Sequence, residues 1–336
     1  MKDVAIVGLP GAGSSTVFTA LTAVEGAAPG RSNQAVVPVP DSRIDRLAEL
    51  HDSKKKVYAQ VRFVESSGMV RRGARAGAGS LSAELLGHLR TADALLVVVR
   101  AFGSEPDPAG ELAELELEFI TADLGVVEPK VERDRKAARD DAAKRAVAAL
   151  ERARDVLASG LPLRAESWDE VELEAFRGIE PLTLKPTIVV ANVDEEGLGS
   201  EKPAGMLRIA AALEAEVAGL DDAEAAELLA SYGLAERGLP RVVRAVYDTL
   251  DLITFLTAGD KESRAWEVRR GATAPEAAGV IHSDFERGFI RAEVVGFDGL
   301  VGAGSWQAAR AKGLVRQEGK AYVVAEGDVV EFRFAV

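Results

Sequence analysis

The sequence predicts an α/β protein with one open, mainly parallel sheet, an inserted helical hairpin and a small carboxyl-terminal domain. Strand-like and helix-like segments alternate over the first hundred residues and again over Pro186–Leu250, which is typical of a parallel sheet with covering helices. Between these blocks, Glu111–Leu157 shows helical spacing and hardly any strand pattern. After Leu252, short strand-like segments surround one helical run, Ala274–Ser283, which predicts a small mixed sheet around a single helix.

The first strand leads into a glycine-rich loop. Val4–Val7 is a short apolar strand, and an amphipathic helix follows the loop. Strand, glycine loop and helix form the setting of the phosphate-binding motif G-x-x-x-x-G-K-[ST]. Gly8 and Gly13 stand at the motif spacing and Ser15 at its Ser/Thr position, but Ser14 replaces the lysine. The alternative is a glycine-rich turn that merely joins a strand to a helix.

Each position of such a loop has a chemical reason. Glycines let backbone N–H groups approach phosphate oxygens, helped by the amino terminus of the next helix. The hydroxyl of Ser15 would bind Mg²⁺. The missing lysine would neutralise charge that develops on the β- and γ-phosphates, and the short, uncharged Ser14 cannot replace it. The sequence therefore predicts weakened binding and still weaker hydrolysis.

The elements that follow continue the alternation. Asp41 is placed to cap a helix over Arg43–Leu50. Ala94–Val99 is a continuous apolar run, as expected of a strand covered on both faces. Within the helical block, Pro129 breaks the pattern, so we expect two antiparallel helices joined near Glu128-Pro129. The mixed charges of this hairpin indicate a solvated surface, with partner binding as the alternative.

Two further motifs follow predicted strands. Glu65 ends a strand and Gly68 comes three positions later, the layout of the Asp-x-x-Gly metal switch with glutamate in place of aspartate. Asn192 and Glu195 follow the apolar run before them and have the layout of a base-recognition motif. An aspartate at its fourth position accepts two N–H bonds from guanine, so a glutamate there weakens a guanine preference. Both motifs are weak alone.

Composition and charge exclude several classes of function. The chain of 336 residues is 47% hydrophobic and has no cysteine, which excludes disulfides and thiolate catalysis and suits a reducing cytosol. It shows no apolar run of about 18 residues and no signal-peptide pattern, so we expect a cytoplasmic protein with no membrane partner. A net charge of −13 argues against non-specific nucleic-acid binding, and we expect no sequence-specific DNA binding. Two basic clusters, Lys54–Lys56 and Arg71–Arg75, are interpreted as solvated surface, with a local basic binding patch as the alternative.

Over nearly its whole length, the sequence resembles the Obg-like ATPases of the YchF type, within the translation-factor-related P-loop GTPases. The resemblance is longest and most specific after residue 252. The matching segments are VAIVGLPGAGSSTVFTALT, VVPVPDSRIDRLAEL, DALLVVVRAF, NVDE, ALEAEV, ITFLTAGDKESRAWEVRRGATAPEAAGVIHSDFERGFIRAEVVGFDGL and EGDVVEFRF.

The resemblance implies three domains. These are a Ras-like P-loop nucleotide-binding domain at 1–104 and 180–251, an inserted α-helical hairpin at 105–179 and a TGS-like β-grasp domain at 252–336. It implies binding of ATP (or GTP) with Mg²⁺, ATP being preferred, slow hydrolysis, and association with the ribosome or another translation component. The residues implied to bind nucleotide are Gly8, Gly11, Ala12, Gly13, Ser14, Ser15, Thr16, Asn192, Val193 and Glu195, and those implied to bind the metal are Ser15 and Glu65. No catalytic residue is assigned, since Met69 corresponds to the hydrophobic residue that the family has in place of a water-positioning glutamine.

The departures from the family pattern lie in the phosphate, metal and switch positions. Ser14 replaces lysine, Glu65-Ser66-Ser67 replaces Asp-Ile-Ala, and the segment between Ala27 and Val36 is short. The chain is also shorter after Glu195. Two hypotheses follow: an ATP-binding protein with weak or residual NTPase activity, or a catalytically inactive pseudo-NTPase that acts as a scaffold for the ribosome or another partner.

Overall fold

The computed structural model describes residues 1–24, 32–66, 81–199, 205–218, 220–234 and 236–335. Contacts divide the chain into two compact units. One unit comprises residues 2–36 and 62–242, and the other comprises residue 1 with 37–61 and 243–336.

The elements of the described residues follow in chain order. The strands are β1 (Lys2–Gly8), β2 (Ser32–Pro38), β3 (Lys56–Val57), β4 (Gln60–Ser66), β5 (Ala94–Ala101), β6 (Thr187–Val193), β7 (Met206–Ile209), β8 (Leu252–Ala258), β9 (Ser263–Arg269), β10 (Phe289–Gly296), β11 (Arg316–Glu318) and β12 (Asp328–Phe334). The helices are α1 (Ser14–Thr22), α2 (Ser42–His51), α3 (Ala83–Thr91), α4 (Pro108–Ala137), α5 (Asp141–Ala158), α6 (Glu170–Glu174), α7 (Ala211–Val217), α8 (Asp222–Ser231), α9 (Gly238–Thr249), α10 (Ala274–Ile281), α11 (Ser283–Arg287), α12 (Phe297–Ala303) and α13 (Trp306–Ala311).

The first sheet has the strand order β2-β4-β1-β5-β6-β7. Strands β1, β5, β6 and β7 run parallel, which confirms the mainly parallel sheet. Residues 94–99 of β5 are buried throughout, because helices cover both faces of a parallel sheet. On one face, Leu89 of α3 and Phe119 of α4 pack against Leu95 and Val97. The carboxyl ends of β1, β5 and β6 consequently lie side by side.

The helical hairpin is present, but its predicted turn near Pro129 is wrong. Helix α4 continues through Pro129, and α5 begins after Asp140, whose carboxylate accepts a hydrogen bond from the N–H of Ala143 at 2.8 Å. A proline inside a helix costs about 3 kcal/mol, because it removes one backbone hydrogen bond and crowds the preceding turn. Val127 and Val131 on either side are buried in the core of the hairpin, and burying each contributes about 1.5–3 kcal/mol. Packing with α5 therefore offsets the cost of the proline.

The second sheet has the order β11-β10-β12-β8-β9-β3. One of its faces packs under α10 and the other under α2, α12 and α13. The predicted single helix of this region is therefore wrong, because Leu300 of α12 and Ala309 of α13 are fully buried on the second face. As predicted, Asp41 caps α2 by accepting a hydrogen bond from the N–H of Arg43 at 3.0 Å.

Strand β3 brings the basic cluster Lys54–Lys56 to the edge of this sheet, where Lys56 lies opposite Ser263 of β9. The ammonium of Lys56 lies 2.7 Å from a carboxylate oxygen of Asp45. Lysines on an edge strand oppose pairing with another chain, which supports the interpretation of the cluster as solvated surface. Over the described residues, no helix has the length and apolar character needed to cross a membrane.

Candidate nucleotide-binding site

The loop between β1 and α1 has a backbone that only glycine adopts easily. Gly11 and Gly13 have φ angles of +95° and +87°, where L side chains are strained. Gly8 has an ordinary φ, but a Cβ there would lie 2.5 Å from the carbonyl oxygen of Val98 on β5. Ala12 between the two strained glycines is buried, and its N–H donates to the carbonyl of Leu9 at 3.0 Å. The glycines are therefore required by the geometry, which is that of a backbone concavity for an anion.

Ser14 occupies the position of the missing lysine. Its Oγ is buried and has no hydrogen-bond partner among the residues that the structure describes, and it lies 2.6 Å from where a Cβ of Gly8 would stand. An orphaned buried hydroxyl costs about 1–3 kcal/mol. This hydroxyl can donate and accept hydrogen bonds, but it supplies no charge. Thr16 lies exposed on the first turn of α1.

Ser15 and Glu65 are in direct contact. The hydroxyl of Ser15 donates a hydrogen bond to Oε1 of Glu65, although the two residues are 50 positions apart. Glu65 is the penultimate residue of β4 and is only 2% exposed. These are the two residues implied to hold Mg²⁺, and they are bound to each other. The donating hydroxyl keeps its oxygen lone pairs and the carboxylate has a second oxygen, so this hydrogen bond leaves both residues able to ligate Mg²⁺. Among the described residues, no group of three or more His, Asp or Glu side chains is placed to hold a metal ion.

Asn192 ties the end of β6 to the phosphate loop. Its Nδ2 donates to the carbonyl of Ala12 at 3.0 Å, and its Oδ1 accepts from the N–H of Ala211 at 3.2 Å. A Cβ on Gly13 would stand 2.3 Å from the same Nδ2, so the glycine is needed for this contact as well. The structure gives Asn192 a positioning function, and its predicted contact with a base stays a prediction.

The residues after Asn192 differ in what their side chains do. Val193 is buried. The carboxylate of Asp194 accepts a hydrogen bond from the N–H of Gly197 at 2.8 Å. Glu195 is exposed, and its carboxylate has no hydrogen-bond or ion-pair partner among the described residues. Of these three residues, Glu195 is thus the one whose side chain is available to a ligand.

Two residues of the site were not predicted. The ring of Phe102, just after β5, has Cε1 4.0 Å from the position of a Cβ on Gly13. Ala211 begins α7 and supplies the N–H that holds Asn192. Both follow parallel strands, and ligands in open α/β sheets bind outside the carboxyl ends of such strands. Applied to the sequence, that rule could have identified Phe102 as a candidate residue of the site.

Arg100 is the basic residue opposite Asn192 in the pairing of β5 with β6. Glu111 of α4 holds it: the backbone N–H of Arg100 donates to Oε2 at 2.8 Å, and its guanidinium Nε donates to Oε1 at 3.2 Å. The backbone N–H and the guanidinium of Arg100 are therefore both hydrogen-bonded to Glu111, and Arg100 does not replace the missing lysine. Arg31, Arg71, Gly68 and Met69 lie outside the described residues.

A separate pocket of about 370 Å³ lies at the other end of β1. Asp3, at the beginning of that strand, lines it together with Arg62, and Nε of Arg62 donates to the Asp3 carboxylate at 2.8 Å. Because the phosphate loop follows the end of β1, this pocket is not part of the nucleotide site.

The comparisons with known proteins agree with the resemblance to the YchF family. A family model for the carboxyl-terminal region of YchF GTPases, described as a protein of unknown function (DUF933), matches residues 252–335. The chain is 40% identical to the ribosome-binding ATPase YchF of Haemophilus ducreyi, over 98% of both chains. It is 37% identical to the ribosome-binding ATPase YchF of Bacillus subtilis, again over 98% of both.

A solved structure extends the agreement to the fold. The YchF GTPase of Schizosaccharomyces pombe superimposes with a TM-score of 0.82 at 29% identity, covering 99% of this chain and 97% of that one. The identity to the bacterial proteins spans almost the full length of each, and the fold is shared throughout. The chain belongs to the YchF family of Obg-like P-loop proteins.

Proposed function

We propose that the chain is a cytoplasmic nucleotide-binding protein that prefers ATP to GTP, hydrolyses it weakly and associates with the ribosome. The observation that carries nucleotide binding is the loop at Gly11 and Gly13, with Asn192 fastened across it. Backbone N–H groups and a helix amino terminus bind phosphate without any side-chain charge. We include association with the ribosome because the relatives from Haemophilus ducreyi and Bacillus subtilis are named ribosome-binding ATPases. We keep the division into 1–104 with 180–251, 105–179 and 252–336 as part of this proposal.

The base preference rests on Glu195. Guanine presents two N–H donors to the acidic residue of this motif, whereas adenine presents one donor and one acceptor there. The carboxylate of glutamate reaches farther than that of aspartate, and here it is exposed and has no partner in the part of the chain that the structure describes. This alteration supports ATP over GTP.

Weak hydrolysis follows from the charges at the loop. A lysine that clamps the β- and γ-phosphates stabilises the charge that builds up during phosphoryl transfer. Losing such a charged contact costs roughly 2–5 kcal/mol. Ser14 brings only a hydroxyl, so the transition state loses more than the bound nucleotide does.

Calorimetric titration tests nucleotide binding. The full chain, shown to be folded by circular dichroism, is titrated with ATP and with GTP in separate experiments. We expect saturable heat with ATP and a weaker response with GTP. Absence of heat at millimolar concentrations of both nucleotides would contradict the proposal.

Co-sedimentation tests association with the ribosome. The chain is centrifuged with ribosomes through a sucrose cushion, and an unrelated protein of similar negative charge is the control. We expect the chain, but not the control, in the ribosome pellet. Recovery of both proteins in the supernatant at low salt would contradict the proposed association with the ribosome.

The second candidate is a catalytically inactive pseudo-NTPase that serves as a scaffold for the ribosome or another partner. Ser14 favours it, because its side chain brings no positive charge to the phosphate loop. On this account Ser14→Lys alone does not restore turnover, since Glu65 still differs from the family. Hydrolysis by that single variant, measured as phosphate release, would count against a wholly remodelled site.

A further inference from the structure

We infer that Arg208 of β7 is a positioning residue for base recognition, because its guanidinium binds the turn that directly follows Glu195. The inference rests on the proposed function, since it concerns the contact through which the same site prefers ATP to GTP. It assigns that preference to the support of Glu195 as well as to its carboxylate.

Arg208 is a buried charged residue beside the strand that ends in the base-recognition motif. Strand β7 pairs with β6, and Arg208 lies opposite Ala191, one residue before Asn192. Only 6% of Arg208 is exposed. Arginine is seldom buried to this extent unless its donors are bound, because the guanidinium loses its hydration. The contacts of the guanidinium therefore indicate what the buried side chain does.

The guanidinium of Arg208 binds the turn that follows β6. Its Nη2 donates to the carbonyl of Gly197, and its Nη1 donates to the carbonyl of Leu198 at 3.5 Å. The N–H donors of arginine form a rigid planar fork, which suits two carbonyls in succession. Both carbonyls belong to the short 3-10 helix Glu196–Gly199, and Glu195 directly precedes it. Arg208 thus fixes the far end of this turn relative to the sheet.

Hydrogen bonds within the turn fix its near end. The carboxylate of Asp194 accepts from the N–H of Gly197 at 2.8 Å, and the carbonyl of Glu195 accepts from the N–H of Leu198 at 3.2 Å. A Cβ on Gly197 would lie 3.0 Å from Oδ1 of Asp194, so glycine lets the turn close tightly. The backbone of Glu195 is therefore held on both sides, while its side chain is exposed.

A held backbone matters for the choice between bases. Hydrogen bonds weaken steeply as their geometry departs from the preferred distance and angle, so a carboxylate discriminates between base edges only from a fixed position. Without the guanidinium of Arg208, the turn loses its attachment to β7 and Glu195 loses its fixed position. The phosphate loop is attached to β6 by a different side chain, the amide of Asn192. Loss of Arg208 should therefore weaken recognition of the base and spare binding of the phosphates.

The experiment is calorimetric titration of the full chain with ATP, GTP and inorganic tripolyphosphate, for the wild type and for Arg208→Met. Methionine keeps an unbranched side chain for packing and removes every N–H donor. We expect the Kd of GTP to exceed that of ATP about fivefold or more in the wild type and less than about twofold in the variant. The Kd of tripolyphosphate, which has no base, should change by less than about twofold.

Three further variants identify the cause. Arg208→Lys keeps the charge but loses the planar fork, so its ratio of Kd values should lie between those of the wild type and Arg208→Met. Asp194→Ala releases the near end of the turn and leaves Arg208 unchanged, and it should lower the ratio as well. Arg177→Met is the matched control, because Arg177 is 78% exposed and pairs with Glu174; it should leave the ratio unchanged.

The outcomes separate this inference from the function on which it rests. An unchanged ratio in Arg208→Met and Asp194→Ala, both folded by circular dichroism, would overturn the inference and leave the proposed function standing. Equal losses of affinity for ATP and tripolyphosphate in Arg208→Met would also overturn it, because Arg208 would then support the whole site. If Arg208→Met does not fold, Arg208→Lys and Asp194→Ala decide by the same criteria. If the wild type binds neither nucleotide, the proposed function fails and the inference fails with it.

Discussion

The phosphate loop and the carboxyl-terminal region have diverged in different ways. The carboxyl-terminal region matches its family model over residues 252–335, and its buried carboxylate Asp328 accepts hydrogen bonds from Tyr322 at 2.7 Å and from the N–H of Ala325 at 2.9 Å. The loop keeps its glycines and its contact with Asn192, but the hydroxyl of Ser14 is buried and has no partner within the described part of the chain. The comparison teaches that the backbone of a phosphate loop and the charges that serve catalysis are separable.

The largest effect on stability is expected in the carboxyl-terminal core. Phe255 is fully buried and has its ring stacked 6.4 Å from that of Trp266. Phe255→Ala should lower the free energy of unfolding by about 3–5 kcal/mol, measured by urea denaturation. Ile290→Ala is the control, because Ile290 is 54% exposed and should change stability by less than about 0.5 kcal/mol. Equal effects of the two substitutions would contradict the packing described for this sheet.

The loop backbone should respond to a single methyl group. Gly13→Ala puts a Cβ on a residue with a φ of +87°, at 2.3 Å from Nδ2 of Asn192. We expect a loss of about 1–3 kcal/mol in stability from backbone strain and a loss of nucleotide binding in the same calorimetric titration. Gly160→Ala is the matched control: its φ is +80° and a Cβ there meets nothing within 4 Å. It should keep nucleotide affinity, and an equal loss of affinity in both variants would disprove the specific function of Gly13.

Removing the contact between Asn192 and the loop should weaken nucleotide binding at least as much as it lowers the stability of the fold. Asn192→Ala removes both hydrogen bonds, to Ala12 and from Ala211, at a site that is 5% exposed. We expect about 1–3 kcal/mol of destabilisation, since two backbone groups lose their partner. Nucleotide affinity should fall at least in parallel, because the loop is no longer held. Unchanged affinity in a measurably destabilised variant would show that Asn192 serves the fold alone.

The smallest effect is a pH dependence in the carboxyl-terminal region. Burial and the hydrogen bond to Asp328 raise the pKa of Tyr322 to about 12, whereas an unfolded tyrosine has a pKa of about 10. Between these values the unfolded chain releases the proton and the folded chain keeps it, so stability falls as the pH rises from about 10 to 12. The stabilisation is complete below pH 10, and it amounts to less than about 1 kcal/mol because solvent reaches the partly exposed ring.

The matching measurement compares urea denaturation of the wild-type chain and of Tyr322→Phe at intervals across this pH range. The variant should lose less stability with rising pH, since it has no phenol to titrate. Identical slopes would show that Tyr322 does not carry this dependence.

The sequence predicted those parts of the structure that depend on residues close together along the chain. The cap at Asp41, the buried strand β5 and the strand, loop and helix around Gly8 follow from local spacing. The turn of the hairpin could not be predicted in this way, because the packing of Val127 and Val131 against α5 outweighs the local signal of Pro129.

The site followed the same rule. The glycine positions were predicted from the motif, because φ angles in such loops are set locally. The contacts of Ser15 with Glu65 and of Asn192 with Ala12 join residues 50 and 180 positions apart. Only the sheet topology brings these side chains together, so the state of the metal site was not predictable from spacing.

The measurement that tests the central claim most directly is ATP hydrolysis by the double variant Ser14→Lys/Glu65→Asp beside the wild-type chain. Both proteins are assayed for phosphate release under single-turnover conditions with Mg²⁺, in the presence of ribosomes. If the loop has kept its backbone and lost only the catalytic charges, the double variant should hydrolyse ATP at least about tenfold faster. If the two proteins release phosphate at the same rate, whether fast or undetectable, the account is contradicted, because the side chains at positions 14 and 65 would then not be the cause of weak hydrolysis.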